Sequence, residues 1–264
     1  MYCNLKKVAL LILAGKVKNN NMKISVFLLL ILLSICVTPS YALPNENAKE
    51  KTFGNEKIIE IFADKNKDTG QVLLVVNDND SSHKATVFAY EFAEGRWREG
   101  LPTMKGAIGR KGFALPGMKR EGDGKTPSGY FPVGMAFGYD ASVKTKLIYR
   151  QSGVEDKWID DVNSGDYNKL ISGPTKAASY EKMKRKDHLY KYGFVVEYNT
   201  APVIKGHGSA IFFHVIRAEG KATAGCVAVS ESDILKLLGW LDPSRKPMVI
   251  MGSRSILKNF FSPI

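Results

Sequence analysis

The apolar residues of this chain fall in short runs separated by turn-forming residues, and this spacing favours strands over long helices. Residues 71–76 form a run rich in β-branched side chains that ends in the turn-forming cluster 77–80. Residues 86–92 alternate in polarity, and residues 94–96 then turn the chain towards Trp97. These segments predict a strand followed by a β-hairpin.

Three further strands are predicted in the second half of the chain, at 193–198, 210–216 and 247–251. A glycine-rich segment at 106–138 precedes them and offers many positions where the backbone can adopt a positive φ. It lacks the lysine-serine ending of a phosphate-binding loop. The segment therefore predicts either a set of hairpin turns or a loop wall that frames a cleft.

Two helices are predicted. One lies within 175–190, where lysine, alanine, methionine and glutamate accumulate. The other begins after Ser230, which is suited to cap it with Asp233 three residues on, and it ends before Pro243. Its apolar side chains form one stripe, interpreted as core packing: Ile234, Leu237, Leu238 and Leu241. We therefore expect a mainly β protein with a few helices.

The first 42 residues have the composition of a leader or signal peptide. A basic start at 22–23 is followed by an apolar run at 24–37 and by small residues at 40–42, which place the cleavage site before Leu43. We therefore expect an exported protein, located in the periplasm or the cell wall.

Two alternative roles for this N-terminal segment are less favoured. The apolar run is shorter than the about 20 residues that a transmembrane helix needs. A lipid anchor on Cys36 is disfavoured, because Ile35 precedes it where a small residue is needed. Residues 1–21 are interpreted as a misassigned start or an extended leader.

The remainder of the chain is long enough for one well-buried domain. Residues 43–58 are polar and predict a linker. Residues 59–254 carry the strand and helix patterns and are assigned to the folded domain, and residues 255–264 to a C-terminal tail.

The chain is basic, with a net charge of +12. Residues 1–42 hold five lysines and no acidic residue, so residues 43–264 carry +7. This charge favours association with an anionic surface such as a cell-wall polymer or a membrane, although solvated lysines account for most of it. Nucleic acid is not expected as a partner, because the sequence has no recognition-helix, zinc-finger or RNA-binding signature.

Cys226 is the single cysteine beyond the expected leader, which contains Cys3 and Cys36. Exported proteins seldom keep an unpaired thiol that is neither buried nor used, because oxidising compartments pair or oxidise it. Cys226 follows Gly225 and lies twelve residues after His214. This arrangement predicts a nucleophile.

Four histidines are candidates for the base that a catalytic thiol needs. His83 and His188 lie in polar or lysine-rich segments and are interpreted as surface residues, and His207 lies in a flexible loop. His214 has apolar neighbours on a predicted strand, where a lone histidine is often a satisfied core residue. Its spacing from Cys226 favours it as the base, forming an ion pair with the thiolate and later protonating the leaving amine.

The residues before Cys226 favour acyl transfer through a thioester. Gly225 lacks a Cβ, so a substrate carbonyl can approach closely, and backbone groups of the turn from Thr223 to Cys226 are candidates to hold the oxyanion. The sequence has no His-Glu-x-x-His, paired-cysteine or Gly-x-Ser-x-Gly motif. We therefore expect no metal, no cofactor and no serine nucleophile.

Two motifs carry a family resemblance. One is His214, a spacer and residues 223–226 (Thr-Ala-Gly-Cys), and the other is residues 126–131 (Thr-Pro-Ser-Gly-Tyr-Phe). The remaining matches are the segments 119–125, 158–161, 163–164, 167–168 and 208–212. Together these elements resemble the YkuD-type L,D-transpeptidase catalytic domain, in a branch with Ala-Gly-Cys in place of His-Gly-Cys. The resemblance extends from residue 60 to residue 252.

The resemblance implies a mainly β domain, with a β-sandwich or mixed sheet and a cleft faced by Cys226 and His214. It implies that the cysteine attacks the bond between an L-centre and D-alanine in a peptidoglycan stem peptide. An amine of a neighbouring stem then resolves the thioester into a 3→3 cross-link, and if water resolves it the enzyme is an L,D-carboxypeptidase. The alternatives are a peptidoglycan hydrolase on the same scaffold and a non-catalytic wall-binding protein with a structural thiol.

Two positions depart from the family pattern. Ala224 replaces a second histidine, and Ala228 stands where many relatives carry an arginine. Arg217 is an alternative cation for the terminal carboxylate of the donor, and it is equally compatible with a plain surface arginine. The upstream motif adds Thr126 and Gly129 as candidate substrate-binding residues.

Overall fold

The computed structural model describes residues 54–262 of the chain. The expected leader at 1–42 lies outside the described residues, as does most of the expected linker. Within 54–262, no helix has the length and apolar character needed to cross a bilayer.

The described chain is mainly β with a mixed sheet, as predicted. The strands are β1 Gln71–Asn77, β2 Lys84–Ala93, β3 Arg96–Ala107, β4 Gly129–Gly138, β5 Tyr149–Gln151, β6 Asp156–Ile159, β7 Leu170–Ser172, β8 Tyr180–Lys182, β9 Tyr192–Val196, β10 Phe212–Val215, β11 Val227–Val229 and β12 Met248–Ser253. The helices are α1 Asn55–Lys65, α2 Glu231–Trp240 and α3 Arg254–Phe261, with a short 3-10 helix at Pro243–Arg245.

Nine strands form one sheet in the order β12-β1-β2-β3-β11-β10-β9-β4-β5. Strand β12 also pairs with β4, so eight of these strands close into a ring and β5 extends from β4. The pairs β1–β12, β10–β11 and β4–β5 are parallel and the others are antiparallel. Of the two expected arrangements, the mixed sheet is therefore observed, and ring closure pairs strand edges that would otherwise be open. Strands β7-β6-β8 form a separate small sheet.

Strand β1 is buried along its whole length. Leu73 and Val75 pack in the main core, while Val72, Leu74 and Val76 pack in a second cluster with residues of α1 and α3. Coverage of both faces explains why this strand is a continuous apolar run rather than an alternating one. The predicted β2–β3 hairpin is also confirmed, with paired residues up to Ala93 and Arg96 at its turn.

Helix α2 confirms the prediction made from its cap and apolar stripe. The Ser230 side chain accepts a hydrogen bond from the Asp233 N–H at 3.1 Å. The predicted stripe, Ile234, Leu237, Leu238 and Leu241, is fully buried. The helix packs against β9 and β10, and it therefore supports the strand that carries His214.

The helix predicted within 175–190 is wrong. Residues Tyr180–Lys182 form β8, which pairs with β6 through Trp158↔Glu181 and Ile159↔Tyr180. Met183, directly after β8, is buried in the cluster that contains Cys226. Strand pairing and burial override a helix propensity that rests on composition alone.

The predicted domain limits fall inside helices at both ends. Helix α1 begins at Asn55, four residues before the expected start of the domain, and its Ile58 is buried. Helix α3 begins at Arg254 and occupies most of the expected tail, with Leu257 and Phe261 buried against the outer face of β1. Both segments add apolar packing to the domain.

Candidate active site

His214 lies on β10 and Cys226 directly precedes the neighbouring strand β11, and both face the same side. Strand β10 runs parallel to β11, and the register pairs His214 with Ala228. Because side chains alternate along a strand, Phe212, His214, Cys226 and Ala228 share one face of the sheet. Cys226 and His214 line the same cleft.

The Cys226 thiol has a fixed position. Its side chain donates a hydrogen bond to the Ala210 carbonyl at 3.1 Å and accepts one from the Phe212 N–H at 3.4 Å. The residue is only 8% exposed and belongs to a buried cluster with Phe212 and Ala210. The sulfur therefore reaches the cleft from a largely apolar surrounding.

Asn168 helps to hold in place the two backbone groups that contact this thiol, the Ala210 carbonyl and the Phe212 N–H. Its Oδ1 accepts hydrogen bonds from the Ala210 N–H at 3.1 Å and from the Trp158 indole N–H at 2.8 Å. The Trp158 ring in turn packs edge-on against Phe212, with centroids 5.0 Å apart. Through these contacts the small sheet is joined to the strand beside the nucleophile.

The turn before Cys226 is closed by the Thr223 hydroxyl. This group donates to the Cys226 carbonyl at 2.6 Å and accepts from the Gly225 N–H at 3.1 Å. Two of the predicted backbone groups are therefore already engaged, the Gly225 N–H by the Thr223 hydroxyl and the Thr223 N–H by the Ile108 carbonyl at 2.9 Å. The Cys226 N–H remains the candidate oxyanion donor, and Thr223 is a positioning residue.

Gly225 meets a close backbone neighbour. A Cβ at this position would lie 3.0 Å from the Lys125 carbonyl oxygen and 3.5 Å from Ile211 Cδ1. The glycine is thus required by the protein's own packing, whereas the sequence suggested that it admits a substrate carbonyl.

His214 is oriented for proton transfer. Its Nδ1 lies 2.8 Å from the Val215 carbonyl, which can only accept, so Nδ1 carries the proton and Nε2 is left as the acceptor. The ring packs edge-on against Tyr190, with centroids 5.4 Å apart. This tautomer is the one required of a base that takes the thiol proton.

Burial keeps both groups neutral in the resting protein. It lowers the pKa of His214 from 6.5 to about 4 and raises the pKa of Cys226 from 9.0 to about 12. The Phe212 N–H opposes the shift of the thiol pKa but is outweighed by burial. The resting pair is therefore a thiol and a neutral imidazole, rather than the ion pair inferred from the sequence.

The cleft has a volume of about 440 Å³ and is predominantly basic. Its ionisable lining residues other than Cys226, His214 and Tyr190 are Arg110, Lys119, Arg185, Arg217 and Lys221, opposed by Asp160 and Glu181. The excess of cations attracts anionic ligands.

Arg217 lies at the cleft, as its candidate role in binding requires. Its side chain is 62% exposed and pairs with Asp187 at 3.1 Å. Asp187 also pairs with Arg185 at 2.8 Å, and Arg185 contacts Glu181 at 2.9 Å. The two arginines are thus linked through one carboxylate at the margin of the cleft.

The glycine-rich segment does form part of the cleft wall, through Lys119. This lysine side chain is 5% exposed, and its Nζ donates to Asp123 at 2.7 Å and to the Arg120 carbonyl at 2.6 Å. It runs close to Gly225, where a Cβ would lie 3.8 Å from Lys119 Cε. The loop-wall interpretation of this segment therefore holds for residues around Lys119.

Thr126 and Gly129 are not brought to the cleft. Thr126 is fully buried, and its Oγ1 accepts a hydrogen bond from the Gly109 N–H at 2.9 Å. Gly129 begins β4 with φ of 130°, a conformation that other residues rarely adopt. Both residues have structural roles here, and the substrate-binding role suggested by the upstream motif has no support from their positions.

The three other histidines are also outside the cleft lining. His83 contacts the Gly220 carbonyl at 2.9 Å through Nε2, and His188 is exposed. His207 is half-buried in its loop. Within residues 54–262, no group of histidine, cysteine and acidic side chains is arranged to hold a metal ion.

Several residues of the site were not predicted as functional from the sequence: Asp160, Asn168, Glu181, Arg185, Tyr190 and Ala210. Asp160, Asn168 and Ala210 lie in segments that carry the family resemblance, which was the one signal available for them. Glu181, Arg185 and Tyr190 lie in or just after β8, where a helix was expected. Their contribution depends on strand pairing that is not local in sequence.

The chain is similar to a known protein family and to a solved structure. The family model of the YkuD L,D-transpeptidase catalytic domain matches residues 64–250. A crystal structure of the helical cell shape determining protein Pgp2 from Campylobacter jejuni is 17% identical, with a TM-score of 0.35. That match covers 72% of this chain and 54% of the Pgp2 chain, so the present chain spans about half of that protein. The comparison with curated proteins gave no match.

Proposed function

Because this chain belongs to the family of YkuD-type L,D-transpeptidase catalytic domains, we propose that it is an exported cysteine acyltransferase that forms 3→3 cross-links between peptidoglycan stem peptides. The observation that carries the proposal is that the Cys226 thiol and a His214 ring with an unprotonated Nε2 line the same basic cleft. Family membership supports acyl transfer, and the hydrogen bonds of the two side chains support Cys226 as the nucleophile and His214 as the base.

The first half-reaction removes the terminal D-alanine of the donor stem. His214 Nε2 accepts the thiol proton as the Cys226 sulfur attacks the carbonyl of the L-centre, and the Cys226 N–H is the candidate donor to the oxyanion. The imidazolium then protonates the leaving nitrogen of D-alanine. The C–N bond breaks, and a thioester to Cys226 remains.

The neutral resting pair fits this order of events. A thiol with a raised pKa is protected from oxidation while the cleft is empty of substrate, since the thiolate is the reactive form. Proton transfer to His214 then accompanies attack on the carbonyl rather than preceding it. The reaction is therefore general-base catalysis and not attack by a preformed thiolate.

The charge of the cleft supports an anionic donor. The stem tetrapeptide ends in a D-alanine carboxylate, and the cleft is lined by five cationic side chains against two acidic ones. Arg217, largely exposed at the margin and paired with Asp187, is the candidate partner of that carboxylate. The expected leader at 1–42 is consistent with a substrate outside the cytoplasm, in the periplasm or the cell wall.

The test is to incubate the purified protein with disaccharide-tetrapeptides that contain diaminopimelate and to separate the products by liquid chromatography with mass detection. We expect released D-alanine and 3→3 dimers from the wild type and from a His188→Gln control. Cys226→Ala and His214→Gln should form neither product. Tripeptides without dimers would assign L,D-carboxypeptidase activity instead. Full activity of Cys226→Ala would contradict any catalytic role for the thiol.

A further inference from the structure

Asp160 is an acidic residue of the cleft, and one of its carboxylate oxygens has no hydrogen-bond partner among the residues that the structure describes. It follows β6 directly and lines the cleft together with Cys226. Its Oδ1 is enclosed and has no hydrogen-bond partner among residues 54–262. Two residues earlier, Trp158 packs on Phe212, whose N–H binds the Cys226 sulfur. Through Trp158, the segment that contains Asp160 is therefore packed against the side of the cleft next to Cys226.

The nearby acidic groups are occupied in a way that Asp160 is not. Glu181, the other acid of the cleft, accepts hydrogen bonds from Arg185 at 2.9 Å and from the Tyr190 hydroxyl at 3.2 Å. Asp161, the next residue in sequence, accepts from two backbone N–H groups, at 2.8 and 2.9 Å. Asp161 is therefore occupied by backbone donors, while the neighbouring Asp160 lines the cleft.

An enclosed carboxylate oxygen without a donor is unfavourable, and such atoms in folded proteins call for an explanation. Neutralisation by a cation of the protein would remove the cost, but the basic side chains Arg185 and Lys119 are paired with other acids. A donor brought by a ligand would also remove it. A primary ammonium group is suited to this, since it is compact and carries three donors.

We propose that Asp160 binds the ammonium group of the acceptor stem peptide. The proposal rests on the cross-linking function proposed above, because a hydrolase needs no second peptide. An acceptor amine is protonated at neutral pH, and the excess positive charge of the cleft repels it. Asp160 supplies an anionic point at which this group can approach the thioester, while the cationic residues hold the donor carboxylate.

In the second half-reaction, the acceptor amine displaces the Cys226 thiol from the thioester. The ammonium held by Asp160 releases one proton to water, and the neutral amine attacks the thioester carbonyl. A C–N bond forms and the C–S bond breaks. The second proton passes from the nitrogen through His214 Nε2 to the Cys226 sulfur, which restores the thiol and the neutral imidazole.

The test compares how the acyl-enzyme divides between amine and water in the wild type, Asp160→Asn, Asp160→Glu and the control Asp166→Asn. Asp166 is exposed and lies in the same region but outside the cleft lining. The readouts are the ratio of dimer to tripeptide at limiting acceptor, the KM for the acceptor, and the acylation rate of Cys226 without acceptor. Loss of one charge-assisted hydrogen bond weakens binding by roughly tenfold to hundredfold.

We expect Asp160→Asn to lower the dimer-to-tripeptide ratio and raise the acceptor KM by roughly tenfold to hundredfold, with a much smaller change in the acylation rate. Asp160→Glu should recover part of the ratio, and Asp166→Asn should match the wild type. An unchanged ratio in Asp160→Asn overturns the proposal, as does an equal fall of acylation and ratio in both Asp160 variants. If the wild type forms tripeptides and no dimers, the cross-linking function itself fails, which is a distinct result.

Discussion

The alkylation rate of Cys226 in the resting protein should rise about tenfold per pH unit from about pH 6 to about pH 10, without a plateau. Burial raises the thiol pKa from 9.0 to about 12. At pH 7 the thiolate fraction is then about 10⁻⁵, against about 10⁻² for the unperturbed thiol, a thousandfold difference. The more basic thiolate is roughly 15- to 30-fold more nucleophilic, so a net slowing of roughly 30- to 60-fold remains.

The assay is iodoacetamide labelling, followed by mass quantification of the peptide that contains Cys226. Labelling of the unfolded protein at the same pH gives the reference rate. His214→Gln should leave the pH profile nearly unchanged, because the native imidazole is uncharged over this range. A rate that levels off between about pH 6 and about pH 9 in the wild type, and loses that plateau in His214→Gln, would refute the reasoning. It would show a preformed thiolate–imidazolium pair.

Three further predictions concern the same site. Acidification from about pH 7 to about pH 4 should lower the free energy of unfolding by about 3 kcal/mol through His214, because the pKa of this histidine is 6.5 in the unfolded chain and about 4 in the buried ring. Denaturant titrations of His214→Gln should lack this part of the dependence of the unfolding free energy on pH. An identical pH dependence in the wild type and the variant would count against it. Thr223→Val removes both hydrogen bonds of the hydroxyl, so it should lower the free energy of unfolding by about 1–3 kcal/mol and abolish most of the acylation rate. Thr223→Ser should keep the two hydrogen bonds, the stability and the rate. Equal loss in the two variants would exclude an effect of the hydroxyl. Gly225→Ala places a Cβ 3.0 Å from the Lys125 carbonyl and should destabilise the protein by about 1–3 kcal/mol, so an unchanged thermal midpoint would contradict the packing argument.

Elements with a strong local signal could be predicted from the sequence. The turn-bounded run at β1, the β2–β3 hairpin and the capped apolar stripe of α2 are each specified by residues close in sequence. Cys226 was also identifiable as a candidate nucleophile, because an unpaired thiol in a protein expected to be exported needs a reason to persist. His214 was identified by its spacing from Cys226. This spacing brings the two residues to the same cleft because β10 and β11 pair in parallel as neighbours.

Features that depend on contacts distant in sequence could not be predicted. Strand β8 exists because it pairs with β6 and buries Met183, and composition alone suggested a helix there. Asn168 supports the thiol through Ala210, 42 residues later, and no local pattern indicates this role. The neutral state of Cys226 and His214, the proposed catalytic pair, likewise arises from burial, which the residue types do not reveal.

Intact mass spectrometry after exposure to a carbapenem tests most directly the claim that Cys226 is an acylating nucleophile in an accessible cleft. A carbapenem carries a strained amide that a nucleophilic thiol opens, leaving the whole molecule attached as a thioester. The wild type should gain the mass of one carbapenem, and Cys226→Ala should gain none. An unchanged wild-type mass, or an adduct that persists in Cys226→Ala, would contradict it.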